Sequence, residues 1–133
     1  MKRTFWFISL ALVLATPAIA LTTETEVESF TVEIRSRMFI PQHVHLHHDR
    51  KTVLRFRSHD TELHTVVAKE LFLSADLNVG GNGAPEFGPN GLKRVIIPAE
   101  GLIEFQFTPA HTGTFSYLCD MPGHNMQAVI VVE

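Results

Sequence analysis

Cys119 is the only cysteine in this 133-residue chain, and it sits in Tyr117-Leu118-Cys119-Asp120-Met121-Pro122-Gly123-His124-Asn125-Met126. With no second cysteine to pair with, the thiol is a small buried hydrophobe, an intermolecular cross-link or a metal ligand. The residues that follow favour the ligand. Thiolate, imidazole and thioether are a soft donor set suited to copper, and two imidazoles with one thiolate around a weak axial thioether is an arrangement copper uses for electron transfer. Four residues separate Cys119 from His124, and Pro122-Gly123 supplies a bend, so both side chains can reach one ion. A second imidazole must then come from elsewhere in the chain. Zinc also takes Cys and His, but a structural zinc site needs four strong donors, and one Cys makes that set hard to complete. The plain alternative is a buried thiol beside a surface imidazole.

The elements that must position these donors read as strands. Phe30, Val32 and Ile34 alternate with Thr31, Glu33 and Arg35. Val44 and Leu46 alternate with His43, His45 and His47; Leu54 and Phe56 with Arg55 and Arg57; Ile103, Phe105 and Phe107 with Glu104 and Gln106. This is the period of half-buried strands. Val66-Val67, Val95-Ile96-Ile97 and Val129 to Val132 add β-branched runs. Turn residues punctuate them at Asp49-Arg50, Pro98 to Gly101 and Pro109 to Gly113. Seven or eight short strands without helical periodicity predict an all-β, Greek-key antiparallel sandwich. The exception is Ala68 to Gly91, where Gly80-Gly81-Asn82-Gly83-Ala84-Pro85 and Gly88-Pro89-Asn90-Gly91 predict a long loop insertion. Leu71, Phe72, Leu73 and Leu77 could form a short helix there, packed on the sandwich.

Cys-x4-His with Pro-Gly before the His, Phe115-x-Tyr117-x-Cys119 ahead of it and a valine-rich strand behind it resembles the ligand loop of the cupredoxins, the type 1 blue-copper proteins. The likeness is to small bacterial periplasmic members of the azurin, auracyanin and rusticyanin kind. Phe39-x-Pro41, the run to Phe56, His59-Asp60-x-x-x-His64 and Phe107-Thr108-Pro109-Ala110-His111-Thr112-Gly113-Thr114-Phe115 fall in the same order, so the resemblance spans about Phe30 to Glu133. It implies one copper ion held by His64, Cys119 and His124, with His59 as rival for the upstream imidazole. Many relatives carry Asn after the upstream His, where its amide braces the Cys loop; here it is Thr65. The axial position departs from the pattern, because azurin-like and rusticyanin-like spacings fall on Ala128 and Val129, which cannot bind. Alignment back from the last strand selects Met126, and counting forward from His124 selects Gln127, whose oxygen is also an accepted axial donor. Met126 is the preferred assignment, and Met121 is read as packing. The resemblance further implies that His124 presents a ring edge to solvent as the electron port, and that the protein is a carrier rather than an enzyme.

Lys2 and Arg3, the apolar run Phe5 to Ala15 and Ala18-Ile19-Ala20 form a charged region, a short apolar core and an A-x-A cleavage site. Residues 1–20 are therefore expected to be a signal peptide and residues 21–133 the single cupredoxin domain, released to the periplasm. The apolar run falls short of the roughly 20 residues that span a bilayer. Losing Lys2 and Arg3 leaves nine basic against fourteen acidic residues. Net acidity argues against nucleic acid as a partner, and the expected partner is a redox protein such as a cytochrome or membrane oxidase, met by a monomer that is not membrane-embedded. His43, His45 and His47 at alternate positions could hold a second copper ion, which would fit a copper resistance, storage or delivery protein. An accessory domain for assembly of a larger oxidase or reductase is a further reading.

Overall fold

A computed structural model describes residues 20 and 24–133. Except for Ala20, the expected signal peptide lies outside the described residues. Eleven strands follow one another: β1 (Glu28–Arg35), β2 (Met38–Ile40), β3 (His43–Leu46), β4 (Thr52–Ser58), β5 (His64–Val66), β6 (Asn78–Gly81), β7 (Ala84–Gly88), β8 (Gly91–Ile97), β9 (Leu102–Phe107), β10 (Gly113–Cys119) and β11 (Met126–Val132). No described residue is in an α-helix, and among the described residues no helix is long and apolar enough to cross a membrane.

The alternation seen in the sequence is the alternation of burial. In β4, Thr52, Leu54, Phe56 and Ser58 are buried while Arg57 is exposed, and in β9 Ile103, Phe105 and Phe107 are buried. One layer of the sandwich has the order β2-β1-β4-β9-β6. The other consists of β10-β11-β3 and β5-β8-β7, joined edge to edge where Val67 and Leu118 exchange backbone hydrogen bonds of 2.9 and 3.2 Å. Between the layers Tyr117 packs against Phe39 and Phe56, with ring centroids 4.8 and 5.4 Å apart, and Phe56 meets Phe105 edge-on at 5.9 Å. Such pairs add about 0.5–1.5 kcal/mol each beyond the area they bury. Tyr117 thereby anchors β10 two residues before Cys119.

The sandwich has eleven strands where seven or eight were expected, and it differs from the expectation in three further ways. First, two pairings are parallel, β1 with β4 and β11 with β3. The chain leaves β1 by a hairpin, crosses to the other layer as β3 and returns beside β1, where β4 runs in the same direction as β1. Second, the Gly-rich stretch expected to be loop forms β6 and β7. Ladder bonds need only backbone, and here glycine is what allows the approach: a Cβ at Gly83 would lie 2.2 Å from Ile103 Cγ2. Third, the expected short helix is a series of turns. It still packs as expected, with Leu71 and Phe72 buried and Phe72 lying 4.8 Å from Phe105 and 5.0 Å from Phe107.

At the start of β1, Glu28 ties the two layers together. One carboxylate oxygen accepts the His47 N–H and the Thr52 hydroxyl, each at 2.9 Å, and the other lies 2.8 Å from His47 Nδ1. Burial alone would push this carboxyl up, but the His47 backbone N–H, the His47 ring and Thr52 outweigh it and hold it below the usual carboxylate range. A carboxyl whose folded value is depressed contributes stability above its unfolded value, and that contribution disappears as pH falls through the folded one. Glu28→Gln should therefore unfold about 1–2 kcal/mol more easily at pH 7, with the gap to wild type closing below about pH 4. Urea midpoints at both pH values check this, and a gap independent of pH would contradict it. Phe72→Ala should cost about 3 kcal/mol, read as a lowered urea midpoint at unchanged slope, because the turn segment is part of the core.

Candidate metal centre

Cys119 is the last residue of β10 and Met126 the first of β11, and the two are directly paired across the ladder. The whole connection is therefore residues 120–125, a tight loop closed by a hydrogen bond from His124 N–H to Met121 O at 3.0 Å. Gly123 takes φ +78°, and a Cβ there would meet no atom within 4 Å, so the backbone angle rather than space calls for glycine. The loop folds the His124 ring back until its Nδ1 is 3.6 Å from Cys119 Sγ.

The third donor comes from the neighbouring strand. His64 opens β5, and the Val67–Leu118 bridge that joins β5's strand to β10 draws it alongside Cys119. Its side chain has no solvent exposure, and its ring lies 5.0 Å from that of His124. The ligating atoms of His64, Cys119 and His124 all fall within 4.8 Å of one another. Each side chain is pinned from behind. Cys119 Sγ accepts the Thr65 N–H at 3.3 Å. The Thr65 hydroxyl accepts the Asp120 N–H at 2.9 Å and donates to Asp120 Oδ1 at 2.7 Å. Thr65 thus braces the Cys loop as an amide would, and Arg94 extends the brace, reaching Asp120 at 3.1 Å and Glu86 at 2.6 Å. Burial would raise the Asp120 carboxyl, but Thr65 and Arg94 outweigh it and hold it below the ordinary range.

The imidazoles have carboxylates behind them. His64 Nε2 lies 2.9 Å from Asp60 Oδ2. Asp60 also accepts the N–H groups of Ser36 at 2.7 Å and Arg37 at 3.0 Å, the two left-handed residues of the β1–β2 turn. Burial would raise its carboxyl, yet the Arg37 and Ser36 N–H groups and His64 keep it low. His124 Nε2 lies 3.6 Å from Glu62, which Arg37 grips with two 2.6 Å hydrogen bonds. The Arg37 guanidinium holds the Glu62 carboxyl low. The His124 side chain is only 6% exposed, so its ring edge faces the Glu62–Arg37 pair rather than an open apolar patch. Asp60, Glu62 and His64 form a second convergent group of potential donors, but the two carboxylates are already engaged by the β1–β2 turn and by Arg37.

The other histidines lie elsewhere. His59 is bonded to Glu33 and Arg35. His43 and His45 occupy the exposed face of β3, His45 4.0 Å from Glu133, while His47 lies past the strand end and is taken by Glu28. Among the described residues these three do not converge on a common point, so the structure gives no support to a second copper ion there. Met126 is buried and, as Cys119's cross-strand partner, shares its face; Gln127 is exposed opposite Leu118 on the other face. Met121 packs against the core. Arg37 and Glu62 were not singled out by sequence, because their role depends on a contact across 25 positions.

The donors suit a metal ion of the copper kind. His64 Nδ1 is a fully buried nitrogen with no hydrogen-bond partner, and His64 belongs to a convergent group whose other members are a thiol and an imidazole. The 3.6 Å between Cys119 Sγ and His124 Nδ1 matches what a thiolate at about 2.3 Å and an imidazole at about 2.0 Å from a shared ion require.

The family model of the cupredoxin-like domain matches residues 4–132. No curated protein sequence matches the chain. Among solved structures, auracyanin A, a "blue" copper protein from the green thermophilic photosynthetic bacterium Chloroflexus aurantiacus, superposes with a TM-score of 0.60 at 16% identity, over 81% of this chain and 100% of that one. A reduced Cu(I) form of an amicyanin variant at pH 4 superposes with a TM-score of 0.52 at 18% identity, over 79% of this chain and 82% of that one. Fold, donor loop and family match together establish that the chain belongs to the cupredoxin family.

Proposed function

We propose that His64 Nδ1, Cys119 Sγ and His124 Nδ1 hold one copper ion, with Met126 as the weak axial donor, and that the protein is a periplasmic one-electron carrier. The observation that carries this reading is the convergence of the three donors, with a buried and unpartnered His64 Nδ1 among them. Bound copper would supply a one-electron couple. The protein's part is to keep the donors still: Cys119 ends a paired strand, His64 begins one, and the loop between Cys119 and His124 is fastened to Thr65 and Arg94. Donors that do not relocate between oxidation states keep the reorganisation on electron gain or loss small. The burial of His64, which is fully enclosed, and of Cys119, which is 4% exposed, is in keeping with a carrier. The electron would leave through His124, past the Glu62–Arg37 pair, toward a redox protein such as a cytochrome or membrane oxidase. Export fits residues 1–20, whose pattern is that of a cleaved signal peptide.

Voltammetry of the copper-loaded protein tests the carrier reading. A reversible one-electron wave is expected, its midpoint moved by Met126→Leu and left in place by Gln127→Leu, since only Met126 shares the face of Cys119. An irreversible wave, or copper lost on reduction, would count against a carrier; a response to Gln127 alone would reassign the axial donor.

A further inference from the structure

Asp60 is held more firmly than its place in a loop suggests. Its carboxylate accepts the N–H groups of Ser36 and Arg37 at 2.7 and 3.0 Å, its own N–H donates to Ser58 Oγ at 3.2 Å, and its carbonyl accepts Glu100 N–H at 2.9 Å. The turn it caps needs that help. Ser36 and Arg37 take φ of 50° and 58° without being glycine, at a cost of about 1 kcal/mol or more each, and the two N–H groups that this geometry turns inward close on one carboxylate. The remaining reach of that carboxylate goes to His64, whose ring is walled in on all sides.

We propose that Asp60 is the positioning residue of the metal centre: it fixes the proton of His64 on Nε2, turns the lone pair of Nδ1 toward Cys119 and His124, and lowers the reduction potential of the copper bound there. The second half rests on the copper reading given above; the first does not. An ionised carboxylate only accepts hydrogen bonds, and a neutral imidazole carries one donor and one acceptor nitrogen. With Asp60 at Nε2, the proton belongs on Nε2, and Nδ1 is left as the buried acceptor with no partner. A carboxylate behind a ligating histidine orients the ring and makes it a stronger base. A more basic donor stabilises Cu(II) over Cu(I), which lowers the potential of the one-electron couple. His124 provides an internal contrast, because Glu62 stands 3.6 Å from its Nε2, is part-exposed and is already committed to Arg37.

The first arm of the test needs no metal. Long-range ¹H–¹⁵N correlation spectra of the metal-free protein at pH 8, above the ordinary histidine range near 6.5, should show His64 as the Nε2–H tautomer alone, and as a mixture in Asp60→Asn. A wild-type His64 carrying its proton on Nδ1 would overturn the proposal, and this result stands even if the variant fails to fold or the copper reading fails. In the second arm, the Cu(I)/Cu(II) ratio of copper-loaded Asp60→Asn at a fixed electrode potential should rise about tenfold, equivalent to about 59 mV, with a smaller rise in Glu62→Gln. An unchanged ratio in Asp60→Asn, or an equal rise in Glu62→Gln, would overturn the assignment by reducing Asp60 to a structural group or to one nearby charge among several.

Discussion

Two backbone hydrogen bonds, Val67 N–H to Leu118 O and Leu118 N–H to Val67 O, close the seam between the halves of one sandwich layer. The candidate metal centre depends on that seam. His64 and Cys119 lie on separate strands 55 positions apart, and neither strand alone brings a second donor from the other into range. With the seam closed, Thr65 N–H reaches the Cys119 sulfur and the Thr65 hydroxyl reaches Asp120, so the first bonds of the brace form from the same alignment. Backbone pairing tolerates little sliding, because a slip of one residue turns each side chain to the opposite face. The position of the donors is therefore inherited from the fold rather than assembled by flexible side chains.

Burial makes that position consequential. A polar nitrogen without a partner inside a protein costs about 1–3 kcal/mol, and His64 Nδ1 is such an atom. No group among the described residues relieves it. A folded chain that retains the penalty holds a donor ready in the geometry a metal requires. The same logic explains the two charged networks. Asp60 with the β1–β2 turn, and Arg94 with Asp120 and Glu86, fasten opposite flanks of the centre, one behind His64 and the other behind the Cys119 loop. A rigid centre suits electron exchange, where movement of donors slows transfer.

Much of this was legible in the sequence, and the parts that were not share a physical cause. Cys119 and His124 stand out because one short loop carries both. Strands such as β4 and β9 stand out because one face is buried and one is wet. Alternation says that a segment is a strand but not which way its neighbour runs, so the parallel pairings of β1 with β4 and β11 with β3 are invisible to it. Glycines carry no side-chain pattern, and β6 and β7 were hidden by Gly80, Gly81 and Gly88 for that reason. Alternation also suggested that His43, His45 and His47 act together, whereas His47 follows the end of β3 and turns to Glu28. The Arg37–Glu62 pair beside His124 rests on a turn whose two non-glycine residues adopt left-handed angles, a choice that local sequence does not announce.

The proposed carrier role requires that Cys119 bind copper together with the two histidines. An optical and EPR titration of the metal-free protein with Cu(II), run beside Cys119→Ala, measures that directly. The expected result is an intense visible thiolate-to-copper band that saturates at one equivalent and is absent from the variant, the mark of copper bound through the thiol. A protein that takes up Cu(II) without any such band, or a band that survives loss of the thiol, would contradict it.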